Sequence, residues 1–210
     1  MDWNFDSLPV EQRYKLLVGL VIPRPIALIT SLGPEGIVNA APFSFFNVLG
    51  DEPPICIVSI EHRDDGTLKD TARNIEASGE FVVNLVDEAI AEQMHVCSLE
   101  YPRETSEMDV AGFHAAPSHR VKPPRIAEAP VSLECTTHTR IDMDTRLLVI
   151  GRIHWLHAHE DLVEPGTLRV RLENYHPIGR LFANRYTRTR EQFAADANAF
   201  NERQKARGRI

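Results

Sequence analysis

The sequence has little cysteine and no long apolar run. Cys56, Cys97 and Cys135 are its three cysteines in 210 residues, and no two of them form a Cys-x-x-Cys pair. Scattered cysteines of odd number indicate free thiols in a reducing compartment rather than a disulfide framework. No apolar run approaches the ~18 residues that a transmembrane helix needs. Residues 1–8 contain two aspartates and lack the basic start of a signal peptide. We therefore expect a soluble, cytoplasmic protein.

Basic residues are in the minority. Lysine and arginine number 23 against 30 aspartates and glutamates, which gives a formal net charge of -7. Nucleic-acid-binding domains usually carry a basic face, so that class is disfavoured. The chain also lacks the GxGxxG, GxxxxGK[ST], HExxH and GxSxG motifs. Their absence removes the commonest dinucleotide-binding, NTPase, zinc-protease and hydrolase interpretations.

The hydrophobic pattern predicts many strands and few helices. Helices are predicted at 10–18, 69–78, 87–97 and 189–207. Strands are predicted at 26–31, 38–46, 55–60, 81–86, 131–141, 146–157 and 168–172. Because strands and helices do not alternate, we predict a mainly β protein, an antiparallel barrel with helical decoration. It spans residues 1–188, and 189–210 form a charged C-terminal helix or tail.

Three local details of this pattern are specific enough to check. The strand at 55–60 is almost wholly apolar, which predicts burial on both faces. Thr67 and Asp70 have the spacing of a capping box, and Gly79 stands where a helix C-cap glycine belongs. Residues 100–125 are polar and proline-bearing, and a loop of this length usually has a function or covers something.

Five segments, taken in order, resemble the flavin reductase-like family, whose fold is the FMN-binding split β-barrel. They are RPIALITS at 24–31, NAAPFSFFN at 39–47, DEPP at 51–54, KDTARNI at 69–75 and EFVVNL at 80–85. A weaker match continues through PIGRL at 177–181 and Tyr186. The resemblance implies a homodimer with FMN near the subunit interface. It also implies flavin reduction by NADH or NADPH, with electrons passing to oxygen, to free flavin for a partner monooxygenase, or to another acceptor.

The flavin ring is expected where the second strand leaves the barrel. Ser44 is small enough for a planar ring to approach the backbone, and Asn47 can both donate and accept at the pyrimidine edge. Phe45 or Phe46 offers an aromatic surface; the alternative is that the phenylalanines are packed barrel core. The candidate cofactor-binding residues of the strands are Thr30, Ser31, Ser44, Phe46, Asn47 and Ser59.

The flavin phosphate is expected at the start of the helix at 69–78. A helix N-terminus presents free amides to an anion, and Lys69, Thr71 and Arg63 supply charge and a hydroxyl beside it, with Thr67 close by. The alternative is an ordinary capped surface helix with solvated charges. The site also requires that the neighbouring acids turn away from the phosphate, namely Asp64, Asp65 and Asp70.

No metal site and no catalytic side chain are predicted. His157 and His159 would share a strand face, but no third ligand has suitable spacing, so both are expected to face solvent. His176 is either close to the flavin or an ordinary turn residue. Hydride transfer to a flavin needs no side-chain acid or base.

Three alternative functions stay open from the sequence. One is a flavoredoxin-like electron carrier without fast nicotinamide turnover. Another is a non-catalytic flavin- or haem-binding module, of which haem is disfavoured because no histidine has an evident axial context. The third is an interaction protein that has lost its cofactor.

Overall fold

The computed structural model describes residues 1–195 and 205. The helices are α1 (Val10–Leu20), α2 (Asp70–Ser78), α3 (Ala91–Val96) and α4 (Glu107–Val110), preceded by a 3-10 turn at Phe5–Ser7. The strands are β1 (Ala27–Leu32), β2 (Val38–Phe43), β3 (Phe46–Asp51), β4 (Pro54–Glu61), β5 (Glu80–Leu85), β6 (Ala115–Ala116), β7 (Arg125–Ile126), β8 (Val131–Asp142), β9 (Arg146–Ala158), β10 (Ile178–Arg180) and β11 (Tyr186–Arg188). Within the described residues, no helix is long and apolar enough to cross a membrane.

Seven strands form one antiparallel sheet in the order β2-β1-β5-β8-β9-β4-β3. β2 and β3 follow each other in the chain but lie at opposite edges of this sheet, so the prediction of one strand over 38–46 is wrong. The chain bends at Ser44 and Phe45, and the Ser59 amide on β4 donates to the Phe45 carbonyl at 2.9 Å. The sheet therefore curls so that its two edge strands, β2 and β3, come together at this bend. They form no continuous ladder of hydrogen bonds with each other, so the barrel is split here.

The inside of the barrel is an apolar core. Its buried members include Ile29, Val58, Phe81 and Val149, and α2 adds Ile75 at one end. Gly151 on β9 lets the Phe81 ring fit, because a Cβ there would lie 2.5 Å from the Phe81 Cζ. α2 ends at Gly79, whose φ of 71° confirms the predicted C-cap.

A second apolar layer covers the outer faces of β1, β2 and β5. Met94 from α3, Met108 from α4 and Phe113 from the segment that follows are buried there. The Thr30 hydroxyl donates to the Pro124 carbonyl at 2.6 Å and ties the segment to β1. The prediction that residues 100–125 cover something is thus confirmed, although the segment also contains α4 and β6.

Glu134 on β8 anchors the segment at 100–125 to the sheet. Its carboxylate is fully buried and accepts from the His119 amide at 2.8 Å, from the Arg120 amide and from His157 Nε2 at 2.6 Å. Burial raises the pKa of Glu134, but the hydrogen bonds from His119, His157 and Arg120 together outweigh it, so the pKa lies below its ordinary value. His157 is therefore not a solvent-facing histidine, contrary to the prediction.

The outward face of β4 and β9 is only half-covered. Cys56 and Val58 on β4 point inward and are buried, whereas Ile57 and Ser59 alternate with them and are partly exposed. Burial on both faces was therefore a wrong prediction for this strand, because every second side chain stays partly exposed. Ile57 lies opposite Ile150 on β9, which extends the apolar surface across two strands.

Three further predictions differ from the structure. Thr67 is not a helix cap: α2 has Lys69 as its N-cap residue, and the Thr67 hydroxyl donates to Asp65 instead. The predicted strand at 168–172 is reduced to an isolated bridge between Val163 and Val170, while the last strands are β10 and β11. Residues 189–195 are not helical, and the rest of the helix predicted over 189–207 lies outside the described residues apart from 205.

Candidate functional site

A cleft opens where the β2–β3 bend meets α1 and the β10–β11 hairpin, and we call it the Arg24 cleft. Its volume is about 320 Å³, near the lower end of the range for small-molecule sites. Its lining residues are Tyr14, Val18, Arg24, Ile26, Pro42, Phe43, Ser44, Phe45, Met94, Ser98, Arg180, Leu181, Phe182, Ala183 and Tyr186. The cleft therefore brings the NAAPFSFFN and PIGRL segments together, although they are far apart in the chain.

Arg24 holds the walls of this cleft in place. Its guanidinium donates to the carbonyls of Val18 at 2.6 Å, Val21 at 2.9 Å and Leu181 at 2.9 Å. A fourth donor, Nε, lies 3.3 Å from the Ser44 hydroxyl oxygen. Since Ser44 accepts from Arg24 and its hydroxyl donates to none of the described residues, the hydroxyl proton can point toward a ligand in the cleft.

Phe45 stands between two cations at the rim of the cleft. The Arg146 guanidinium carbon lies 5.0 Å from the ring centroid and that of Arg24 lies 5.9 Å away, both within cation–π range. Phe46 points the other way and is part of the barrel core. The alternative interpretation of the phenylalanines thus holds for Phe46, and Phe45 is the one that borders the cleft.

The remaining ring-side candidates fall into two groups. Asn47 and Ser59 lie on the outward face of the sheet, and Asn47 is exposed, with its side-chain oxygen accepting from the Val48 amide. Thr30 and Ser31 are fully buried, and their hydroxyls are bonded within the protein. The geometry gives these two residues no open surface to a ligand, and we assign them the structural role of tying neighbouring elements to β1.

Four cations surround the start of α2. Arg63, Arg73 and Arg103 approach the Asp70 carboxylate at 2.6, 3.0 and 3.7 Å. Lys69, the N-cap residue, is exposed and makes no side-chain cap. The Asp70 carboxylate thus contacts three arginines, and it organises them rather than turning away as the prediction required.

Thr71 does not share this exposed position. It is 1% exposed, and its hydroxyl accepts from the Asn39 side chain at 2.8 Å. The bond ties α2 to β2 beneath the cationic cluster. As a candidate ligand, Thr71 thus has no more support from the geometry than Thr30 and Ser31.

A second cavity of about 460 Å³ adjoins the cationic cluster. It lies between the β1–β2 turn, α2 and α4, and Asn39, Asp70, Arg103 and Glu107 are among its lining residues. The Glu107 carboxylate accepts from the Ala40 amide at 3.0 Å, and burial raises the pKa of this carboxyl.

The histidines do not assemble a metal centre. Among residues 1–195 and 205, no three His, Cys, Asp or Glu side chains are grouped as metal ligands. His157 is bonded to Glu134, and His159 is exposed just beyond the end of β9. His176 does not line the Arg24 cleft.

Sequence reasoning missed three residues of the cleft, although their segments had been recognised. Arg24 opens the RPIALITS match, and Arg180 and Tyr186 lie in or next to the weaker match at 177–181. The antiparallel backbone bridge between Arg24 and Arg180 brings these segments together. The one sequence signal for a role in the cleft was that both arginines lie inside recognised segments.

Comparisons with known proteins identify the family of this chain. A family model described as "Flavin reductase like domain" matches residues 19–193. The 2-nitrobenzoate 2-nitroreductase of Pseudomonas fluorescens is 39% identical with a TM-score of 0.87, over 94% of this chain and 96% of its own. Nitrilotriacetate monooxygenase component B of Bacillus cereus is 34% identical with a TM-score of 0.88, over 93% and 98%.

The fold itself extends to more distant proteins. Flavoredoxin of Desulfovibrio vulgaris shares 18% identity and a TM-score of 0.74, over 94% of this chain and 97% of its own. The prediction of a mainly antiparallel split β-barrel is confirmed. With a family model covering most of the sequence, the chain belongs to the flavin reductase-like family.

Proposed function

We propose that this protein binds FMN and acts as an oxidoreductase that accepts electrons from NADH or NADPH. The bend at Ser44 and Phe45, which borders the Arg24 cleft, carries the proposal, because it presents a hydroxyl and an aromatic ring where the barrel is split. The flavin ring would lie on the Ser59 side of this bend, next to the cleft. A bound flavin would supply the hydride chemistry through its own ring. The chain's residues would position that ring and limit access to it.

The cationic cluster at α2 suits the phosphate of FMN. Ser59 contacts the Phe45 carbonyl, and Arg63 follows Ser59 by four residues. Extended chain covers about 13 Å in that distance, a spacing that suits a ring at one end and a phosphate at the other. Lys69 and the uncapped first turn of α2 offer a charge and amide donors at the phosphate end.

We further propose that the protein is a homodimer formed through the outward face of β4 and β9. Ile57 and Ile150 lie opposite each other on this face, and Leu148 lies opposite Ser59. Ile141 on β8 extends the apolar surface and is 49% exposed. Because Ser59 shares this face, covering it with a second subunit would bring the flavin site to the interface.

Two electron acceptors are consistent with the similar proteins. Component B of nitrilotriacetate monooxygenase is named as one component of a monooxygenase, and the other similar protein is named as a nitroreductase. The electrons of the reduced flavin therefore have two candidate destinations. One is a partner monooxygenase that receives the reduced flavin, and the other is a small molecule that the protein reduces directly. We retain a cytoplasmic location as part of the proposal, in keeping with the three free, buried cysteines.

The test begins with the visible spectrum of the purified protein after gel filtration and reconstitution with FMN. NADH and NADPH are then added separately without oxygen, and the absorbance of the oxidised flavin is followed. We expect bound flavin and rapid bleaching by at least one nicotinamide. Tight flavin binding with only slow bleaching would favour a flavoredoxin-like carrier, and no flavin binding after reconstitution would refute the proposal.

A further inference from the structure

The Arg24 cleft combines aromatic walls with positive charge. Five of its lining residues are aromatic: Tyr14, Phe43, Phe45, Phe182 and Tyr186. Arg24 and Arg180 are the charged residues of the lining, and no aspartate or glutamate of the described chain belongs to it. An aromatic-lined space with a few polar groups is typical of a small-molecule site, and here the polar groups favour an anion.

The two arginines differ in how many hydrogen-bond donors they have available for a ligand. Four of the five N–H groups of Arg24 donate to three carbonyls and to Ser44. Arg180 donates from Nη1 to the Tyr186 hydroxyl and stacks over that ring, with its guanidinium carbon 4.8 Å from the centroid. In the described part of the chain, its Nε and Nη2 have no hydrogen-bond partner and no carboxylate lies within 4.0 Å of it.

The charge of Arg180 is felt by its neighbour. Burial lowers the pKa of Arg24, and the positive charge of Arg180 lowers it further. Two like charges in a partly buried space are costly unless an anion compensates them. A carboxylate matches the planar fork of a guanidinium through two parallel hydrogen bonds.

We propose that the Arg24 cleft binds a planar aromatic carboxylate, with its carboxylate on the Arg180 guanidinium and its ring against the aromatic side chains of the cleft. The Tyr186 hydroxyl, which accepts from Arg180, holds the guanidinium in place. The inference rests on the proposed function for the position of the flavin, which would lie next to the acid at the Ser44–Phe45 bend that borders the cleft. The binding itself can be measured without flavin.

Benzoate, benzamide and acetate are titrated by calorimetry into flavin-loaded and flavin-free protein. We expect benzoate to bind at least about tenfold more tightly than either analogue, because benzamide lacks the charge and acetate lacks the ring. Arg180→Met should weaken benzoate binding about 10- to 100-fold and leave benzamide unchanged. Tyr186→Phe should weaken it by about two- to tenfold.

Arg188→Met is the matched control, since this exposed arginine pairs with Glu88 outside the cleft and its loss should leave benzoate binding unchanged. Equal affinity for benzoate and benzamide, or an unaltered benzoate affinity in Arg180→Met, would overturn the inference. Competition between benzoate and FMN for the flavin-free protein would also overturn it, because the cleft would then be the flavin's own. Arg180-dependent benzoate binding by a protein without flavin affinity would instead refute only the proposed function.

Discussion

Lys69→Met removes one charge from the cationic cluster at α2 and keeps most of the side-chain stem. A charge-assisted hydrogen bond contributes about 1.5–3 kcal/mol, but Lys69 is exposed and solvent screening reduces its share to about 1 kcal/mol. Three arginines remain around Asp70 to hold the phosphate. We therefore expect FMN to bind about fivefold more weakly, while riboflavin, which lacks the phosphate, binds as before.

Quenching of flavin fluorescence during titration of flavin-free protein measures both affinities. Lys122→Met is the control, because Lys122 is an exposed lysine on the segment that covers β5 and β8. The difference between the two flavins should shrink at about 0.5 M salt, where exposed charges are screened. Equal weakening of FMN and riboflavin, or no loss of FMN affinity at low salt, would remove the phosphate from this cluster.

Three other perturbations test the fold and the assembly. Gly151→Ala places a Cβ 2.5 Å from the buried Phe81 ring, and urea unfolding should show about 1–3 kcal/mol less stability. Because the pKa of Glu134 is lowered in the fold, this carboxylate adds to the free energy of unfolding above the ordinary glutamate pKa, and that contribution is lost on acidification. Glu134→Gln should therefore flatten the pH dependence of unfolding between about pH 5 and 3. An unchanged slope would contradict this. Ile57→Glu puts a charge in the proposed dimer face, so light scattering should report a monomer with weaker flavin binding; a persistent dimer would move the interface elsewhere.

The strands were largely predictable because their signal is local. β1, β4, β5, β8 and β9 all lie within a few residues of the predicted ranges. Alternation and apolar runs reflect burial of a pleated strand, so they can be read without a partner. The bend at Ser44 and Phe45 was not predictable in this way, because the apolar pattern continues through it and only the curl of the sheet separates β2 from β3.

The structure regroups the residues predicted to hold the phosphate, and the phosphate site itself stays a prediction. Lys69 and Arg63 lie together at α2, but Arg73 and Arg103 join them and Thr71 faces inward. Which side of a helix faces the core depends on what packs against it. For α2, that is β1 and β2, through the bonds from Asn74 to Ser31 and from Asn39 to Thr71.

The order of five short segments was enough to identify the family and the antiparallel split barrel. Local sequence likewise determined most strand positions and the C-cap at Gly79. Tertiary structure alone decided that Arg24 meets Arg180 and Ser44, that Phe45 rather than Phe46 borders the cleft, and that Thr30, Ser31 and Thr71 are buried. These contacts join segments separated by up to 157 residues, and their energies depend on geometry that no local pattern encodes.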